Sequence, residues 1–254
     1  MAIQLFPIKV PLKKRRFDLF DAISKGFDFT ADDILIVSSK FVSMSEGALV
    51  KLSSIVPTAR ARSLAKEASM DAKMAQLVLL EADYLLRGVP GFVLAVKDGM
   101  IAPNAGIDRS NVPRGYAILY PRKPFESARL LRQRFSEELG IRTGVVISDS
   151  RLMPTRVGTT GVSIAVSGFE PVEDMRGKMD LFGNRLRVTQ KATSDGLATM
   201  GVALMGESNE GVPAVVARGV HVVWTDRELT WKDMAVAPEV DIYLSARKDL
   251  VKVR

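Results

Sequence analysis

Short apolar runs alternate along this chain with segments whose apolar residues recur at helical spacing. The runs 34–39 (ILIVSS), 91–96 (GFVLAV), 117–121 (AILYP), 144–148 (GVVIS) and 213–217 (PAVVA) have the length and the β-branched content of strands. The stretch RGVHVVW, with His221, reads as another. Residues 58–87 read as one or two helices. Over 125–140, Leu131, Phe135 and Leu139 stand four apart on one helical face, and Gly140 supplies the left-handed C-cap. A third helix is expected over 196–206, with Leu197, Met200, Leu204 and Met205 on its apolar side. This alternation predicts a mixed α/β (α+β) protein. There is no internal repeat, low-complexity tract or long linker, so residues 1–254 are expected to form one unit, with room for two lobes whose boundary the pattern does not mark.

At 254 residues, 47% hydrophobic and 26% charged, the chain can bury a full core. No apolar segment is long enough to span a bilayer, and MAIQLFPIKVPLKKRR lacks the order of a secretory signal. The absence of cysteine excludes disulfides, thiolate nucleophiles and cysteine metal sites, and agrees with a cytoplasmic location. His221 is the only histidine and reads as an ordinary strand residue. Any catalysis must therefore rest on carboxylates, hydroxyls, amides and cations, and such oxygen donors suit magnesium or manganese. The net charge of +7 favours anionic partners. Its cations are spread over KKRR, RARSLAK, RLLRQR and RKDLVKVR without interleaved aromatics, the pattern of solvated faces rather than of a nucleic-acid site. Neither a P-loop nor a G-x-G-x-x-G turn is present.

Three carboxylates stand out by position. Asp149 follows GVVIS, where the strand is expected to run out into a loop; Asp108 lies in PNAGIDRSN and Glu207 in MGESNEG. Glycine-rich polar loops let a backbone approach a ligand and a hard cation coordinate. A local turn is the plainer reading of each, and spacing does not bring the three together.

Four motifs, NAGIDRSNV (104–112), GVVISDS (144–150), GKMDLFGNRLRVT (177–189) and LMGESNEGVPAVVARG (204–219), resemble in content and order those of the coenzyme F420-0:L-glutamate ligases. The resemblance runs from FPIKVPL to about Gly219. It implies a single catalytic unit of a family-specific fold with mixed sheets, assembled as an intertwined homodimer. The implied reaction adds L-glutamate to coenzyme F420-0 at the expense of GTP, through an acyl phosphate, extending a γ-linked oligoglutamate tail and releasing GDP and phosphate. It also implies Mg2+ or Mn2+ and a monovalent cation, K+, with no membrane or nucleic acid as partner.

Position by position, the resemblance makes Asp108, Asp149, Ser150 and Glu207 metal ligands, and Asp149 and Arg156 catalytic. Nucleotide contacts fall on Val10, Pro11, Leu12, Lys13, Ser38, Ser39, Asn111 and the run Leu204, Met205, Gly206, Glu207, Ser208, Asn209, Glu210 and Gly211. Two departures stand out: Leu152 and Met153 replace a glycine-arginine pair, and Met44 replaces a nucleotide-binding lysine, a loss for which Lys40 or KKRR is the candidate compensation. A ligase of the same fold with another carboxylate acceptor, and a non-catalytic nucleotide- or nucleic-acid-binding protein, remain alternatives.

Overall fold

The computed structural model describes residues 2–13, 15–237, 239–245 and 251–253. Lys14 of the KKRR run, and residues 247–250 and 254 of the C-terminal basic run, lie outside them. In chain order the elements are β1 (Gln4–Ile8), α1 (Leu19–Ser24), β2 (Ile34–Ser38), α2 (Ser39–Glu46), β3 (Leu49–Lys51), α3 (Ala59–Glu67), α4 (Ala72–Glu81), β4 (Tyr84–Val89), β5 (Phe92–Lys97), β6 (Met100–Pro103), β7 (Tyr116–Ile118), α5 (Pro124–Leu139), β8 (Gly144–Leu152), β9 (Thr159–Ser167), β10 (Val172–Asp174), β11 (Gln190–Ala192), α6 (Thr193–Met205), β12 (Ala214–Arg218) and β13 (Val251–Lys252). The protein is mixed α and β, as its pattern predicts.

The elements group into two compact units. One comprises Asp18–Ser39 and Lys123–Met234 with the N-terminal segment up to Leu12; the other comprises Lys13–Phe17, Lys40–Arg122 and the segment from Ala235.

The first unit is built on a five-stranded sheet in the order β1-β12-β2-β8-β9. Only β2 and β8 run parallel, with Ile34 opposite Gly144 and Ser38 opposite Ser148; the other pairs are antiparallel. Strands buried on both faces need unbroken apolar runs, which is why ILIV and VVI are legible in the sequence. Helix α6 lies on the face that carries Ile34, Ile36 and Val146, and its Leu197, Ala198 and Met205 complete that core. Two glycines set how closely it approaches. A Cβ on Gly161 of β9 would stand 2.2 Å from the Ala198 carbonyl oxygen, and one on Gly201 would meet the Ile36 side chain at 2.6 Å. α5 packs against β8 and β9 with Leu131 and Phe135 buried, and Gly140 closes it at φ +66° as predicted.

The second unit holds the sheet β13-β4-β5-β6 and the β3-β7 pair. α3 and α4 pack on each other, and Ala61, Ala65, Leu77 and Val78 share a core with Leu85, Val93 and Ala95.

Four expectations are corrected. GVVIS is only the apolar half of β8, which continues through Asp149 to Leu152 because β9 pairs with it as far as Thr159. Residues 84–89 form a strand rather than the end of a helix: α4 stops at the extended Ala82, and a short apolar run such as YLL does not separate the two states. His221 lies in exposed coil, since β1 pairs with β12 only as far as Arg218 and Gly219 turns the chain at φ +78°. Leu139, in the last turn of α5, is 46% exposed, off the buried face of Leu131 and Phe135.

Candidate active site

The parallel pairing of β2 with β8 ends at Ser38 and Ser148, where β2 stops and β8 runs on to Leu152, and ligands of such sheets are bound near the carboxyl ends of the parallel strands. Ser38 ends β2 and Ser39 opens α2, so the predicted pair straddles a strand-to-helix junction. Ser38 N–H donates to the Pro213 carbonyl at 2.9 Å, and Val10 N–H donates to the Gly211 carbonyl at 3.0 Å. Three segments that the resemblance assigns to the nucleotide, around residues 10, 38 and 211, are thereby stitched together.

Asp149 is held at both oxygens. The Ser39 hydroxyl, 110 residues away in the chain, donates to Oδ1 at 2.8 Å, and Arg151 Nε donates to Oδ2 at 3.0 Å. The Arg151 side chain is 5% exposed and that of Asp149 23%, so this pair is half shielded from water. On the next residue, Ser150 Oγ donates to Glu207 Oε1 at 2.5 Å, and Thr159 Oγ1 donates to the same oxygen at 2.9 Å. Glu207 is set by the end of α6, which Gly206 closes at φ +74° where a Cβ would meet the Glu210 carboxylate. Glu210 in turn accepts Ser208 N–H at 2.9 Å, so the loop folds around it.

Not every predicted contact offers a side chain. Met205 is buried in the core and Leu204 packs against that core, whereas Asn209, Pro11 and Leu12 are exposed. Arg156 is exposed in a tight turn, its N–H donating to the Met153 carbonyl at 3.2 Å. Lys13 lies with its ammonium 5.7 Å from the centre of the Phe17 ring.

Asp108 and Asn111 belong to the second unit. The Asp108 backbone is bridged to Ile118 by two hydrogen bonds, at 3.1 and 2.9 Å. Its carboxylate accepts Arg109 N–H at 2.5 Å, Ser110 N–H at 2.8 Å and Ser110 Oγ at 2.6 Å, and the Lys40 ammonium lies 2.6 Å from Oδ2. Burial acts to raise this carboxyl group, but the Lys40 ammonium and the Ser110 donors outweigh it and hold it below the usual carboxylate range. Asn111 is exposed, in the left-handed conformation at φ 52°.

Four contributors escaped sequence reasoning: Arg151, Thr159, Lys40 in its pairing with Asp108, and Asp195. Asp195 sits in the first turn of α6 and accepts Ser163 N–H at 2.8 Å. Burial raises its pKa, opposed by the Ser163 N–H and the Arg151 guanidinium. Its only local signal, an acid in a first helical turn, is that of an ordinary partner for the helix dipole.

Among the described residues, no three histidine, aspartate or glutamate side chains converge as a ready cation cage. The donors are nevertheless all oxygens: two carboxylates and a hydroxyl in Asp149, Glu207 and Ser150, and the Asp108 carboxylate with Ser110. That donor chemistry fits a hard divalent cation.

A mixed α/β scaffold that sets acidic and hydroxyl groups beyond a parallel strand pair defines the class as one with an all-oxygen acidic site. The chain belongs to the F420-0:gamma-glutamyl ligase family, whose model matches residues 7–219, as the motif resemblance implied. It is similar to the coenzyme F420:L-glutamate ligase of Methanopyrus kandleri, with 39% identity over 215 residues, 83% of this chain and 85% of that protein. The enzymes of the same name from Archaeoglobus fulgidus and Methanocaldococcus jannaschii are 38% identical over 223 residues and 33% identical over 244. They cover 87% and 95% of this chain, and 90% and 96% of their own lengths.

Proposed function

We propose that this chain is a cytoplasmic, GTP-dependent ligase that adds L-glutamate to coenzyme F420-0 and extends a γ-linked oligoglutamate tail, working as an intertwined homodimer. The terminal carboxylate of the acceptor attacks the γ-phosphorus of GTP, the bond to GDP breaks, and an acyl phosphate forms. The glutamate amine then attacks the acyl carbon and gives up a proton, and inorganic phosphate leaves with the carbonyl–oxygen bond broken.

Bringing a carboxylate up to a triphosphate sets anion against anion, so the site must supply positive charge. Mg2+ or Mn2+, accompanied by K+, would supply that charge, with Asp149, Ser150 and Glu207 as its candidate ligands in the first unit and Asp108 in the second. The protein's own part is to fix these oxygens in advance. Ser39 and Arg151 leave the Asp149 carboxylate little rotational freedom to lose, and Thr159 and Ser150 do the same for Glu207. Residues 10–13, 38–39, 111 and 204–211 take the nucleotide, and Arg156, an exposed cation just past β8, meets the anionic reactants.

One observation carries the reading. Ser39, Asp149, Ser150 and Glu207, assigned from sequence motifs far apart in the chain, are joined by hydrogen bonds and a shared strand where the parallel pairing of β2 with β8 ends. A second reading, the same chemistry on another carboxylate acceptor, is favoured by Leu152 and Met153, which are 46% and 43% exposed just beyond Asp149.

Labelling the acceptor carboxylate with 18O tests the mechanism. One labelled oxygen should appear in each phosphate released, in the presence of glutamate only; unlabelled phosphate would exclude the acyl phosphate. Turnover with a different carboxylic acid and not with F420-0 would favour the second reading.

A further inference from the structure

Lys40 is the only cation of α2 and sits in its first turn, the end where the helix dipole disfavours positive charge. What holds it there is the Asp108 loop. Its ammonium has three donors, and three oxygens lie within reach: Asp108 Oδ2 at 2.6 Å, Ser110 Oγ at 2.6 Å and the Ser110 carbonyl at 3.1 Å. The side chain is 24% exposed, so the pair is only partly screened by water. Lys40 directly follows Ser39, and Ser110 directly precedes Asn111, so each of the two partners has one nucleotide position of the reading above as a sequence neighbour.

We propose that Lys40 is an exchangeable cation: its ammonium holds Asp108 until that carboxylate is given over to a divalent ion, and then turns to the phosphates of the bound nucleotide. The proposal rests on the metal- and nucleotide-dependent reading. An ammonium and a divalent ion cannot share one carboxylate oxygen at bonding distance without strong like-charge repulsion. The four-carbon stem of lysine lets the charge swing by several ångströms with the backbone fixed, which the planar fork of an arginine does less readily. Lys40 thus opposes cation binding in the free protein and supports nucleotide binding once the cation is seated. Cation and nucleotide are thereby coupled through one side chain. If Lys40 merely staples α2 to the Asp108 loop, its loss loosens the loop and weakens both.

The test is Lys40→Met, which keeps the length of the side chain and removes its charge. Mn2+ affinity is measured without nucleotide, from the electron paramagnetic resonance signal of free Mn2+, and GTP affinity by calorimetry in saturating Mn2+. The variant should bind Mn2+ about tenfold more tightly and GTP about tenfold more weakly, two shifts of opposite sign. Equal shifts in one direction, or no change in either affinity, would overturn the exchange. If the wild-type protein binds neither Mn2+ nor GTP, the nucleotide reading falls and the exchange with it. Should Lys40→Met melt well below wild type, Lys40→Gln, which can still hydrogen bond to Ser110, is put through the same titrations with the same criteria.

Discussion

Asp149 has both oxygens engaged before any ligand arrives, and the two engagements predict different things. Asp149→Asn keeps the shape of the side chain; with its oxygen turned to Arg151 Nε and its amide donating to the Ser39 hydroxyl, both partners stay bonded, so it should fold with a melting temperature near wild type while turnover drops by about two to three orders of magnitude. Asp149→Ala should lose turnover as well, and in addition about 1–3 kcal/mol of stability, because it removes the carboxylate to which the buried Arg151 Nε is bonded. Thermal melting beside a turnover assay separates the two variants. Equal melting temperatures would mean that Arg151 does not depend on Asp149. The carboxylates themselves were legible because each follows or interrupts an apolar run in a glycine-rich context. Their partners were not: Ser39 lies 110 positions from Asp149, Thr159 48 from Glu207, and Lys40 70 from Ser110. Arg151 and Asp195 carry no local mark that separates them from a surface charge and a helix-capping acid.

Helix α6 delivers Glu207, and its distance from β9 is set by the missing side chain at position 161. Gly161→Ala should cost about 3 kcal/mol and reduce turnover with it, since the new methyl group meets the backbone of Ala198 rather than a side chain that can move aside. Gly196→Ala, in the same helix but with nothing within 4 Å of the new Cβ, should instead stabilise by about 0.5–1 kcal/mol. Urea denaturation of the pair checks both signs. The elements themselves were readable where one period dominated: both buried parallel strands and the Gly140 cap of α5 stand where the pattern put them. Errors fell where pairing rather than burial decides the outcome, as in the polar half of β8, in β4 and at His221.

A third prediction concerns the segment after β12. Arg227 donates to Glu170 at 2.6 Å and to Asp233 at 2.8 Å. Its guanidinium is the main cause that holds Glu170 below its ordinary range; at Asp233 burial acts to raise the group, and Arg227 together with the Thr230 N–H and hydroxyl outweighs it. Both folded values therefore lie under the unfolded ones. The stabilisation is full above the ordinary carboxylate range and is lost as pH falls through the depressed values, below about pH 4. Arg227→Gln should be less stable than wild type at pH 7, with the gap closing toward pH 3. A gap that widens on acidification would contradict the assignment.

For the molecule as a whole, the basic surplus is dispersed and much of it is paired. Arg134 contacts Asp18, Asp21 and Glu138, Arg132 pairs with Asp226, and Arg142 with Asp32. The proposed homodimer predicts a light-scattering mass twice that of one chain; a single-chain mass at micromolar concentration would count against it. Function was legible only through ordered motifs, because no spacing rule brings residues 39, 149 and 207 together, whereas the fold does.

The most direct measurement is mass-resolved turnover of the purified protein with F420-0, L-glutamate, GTP and Mn2+ or Mg2+, beside Asp149→Asn. Product masses should rise by whole glutamyl units, and the rise should vanish in the variant. No glutamyl product from wild type, or an equal yield from Asp149→Asn, would contradict a ligase whose chemistry depends on that carboxylate.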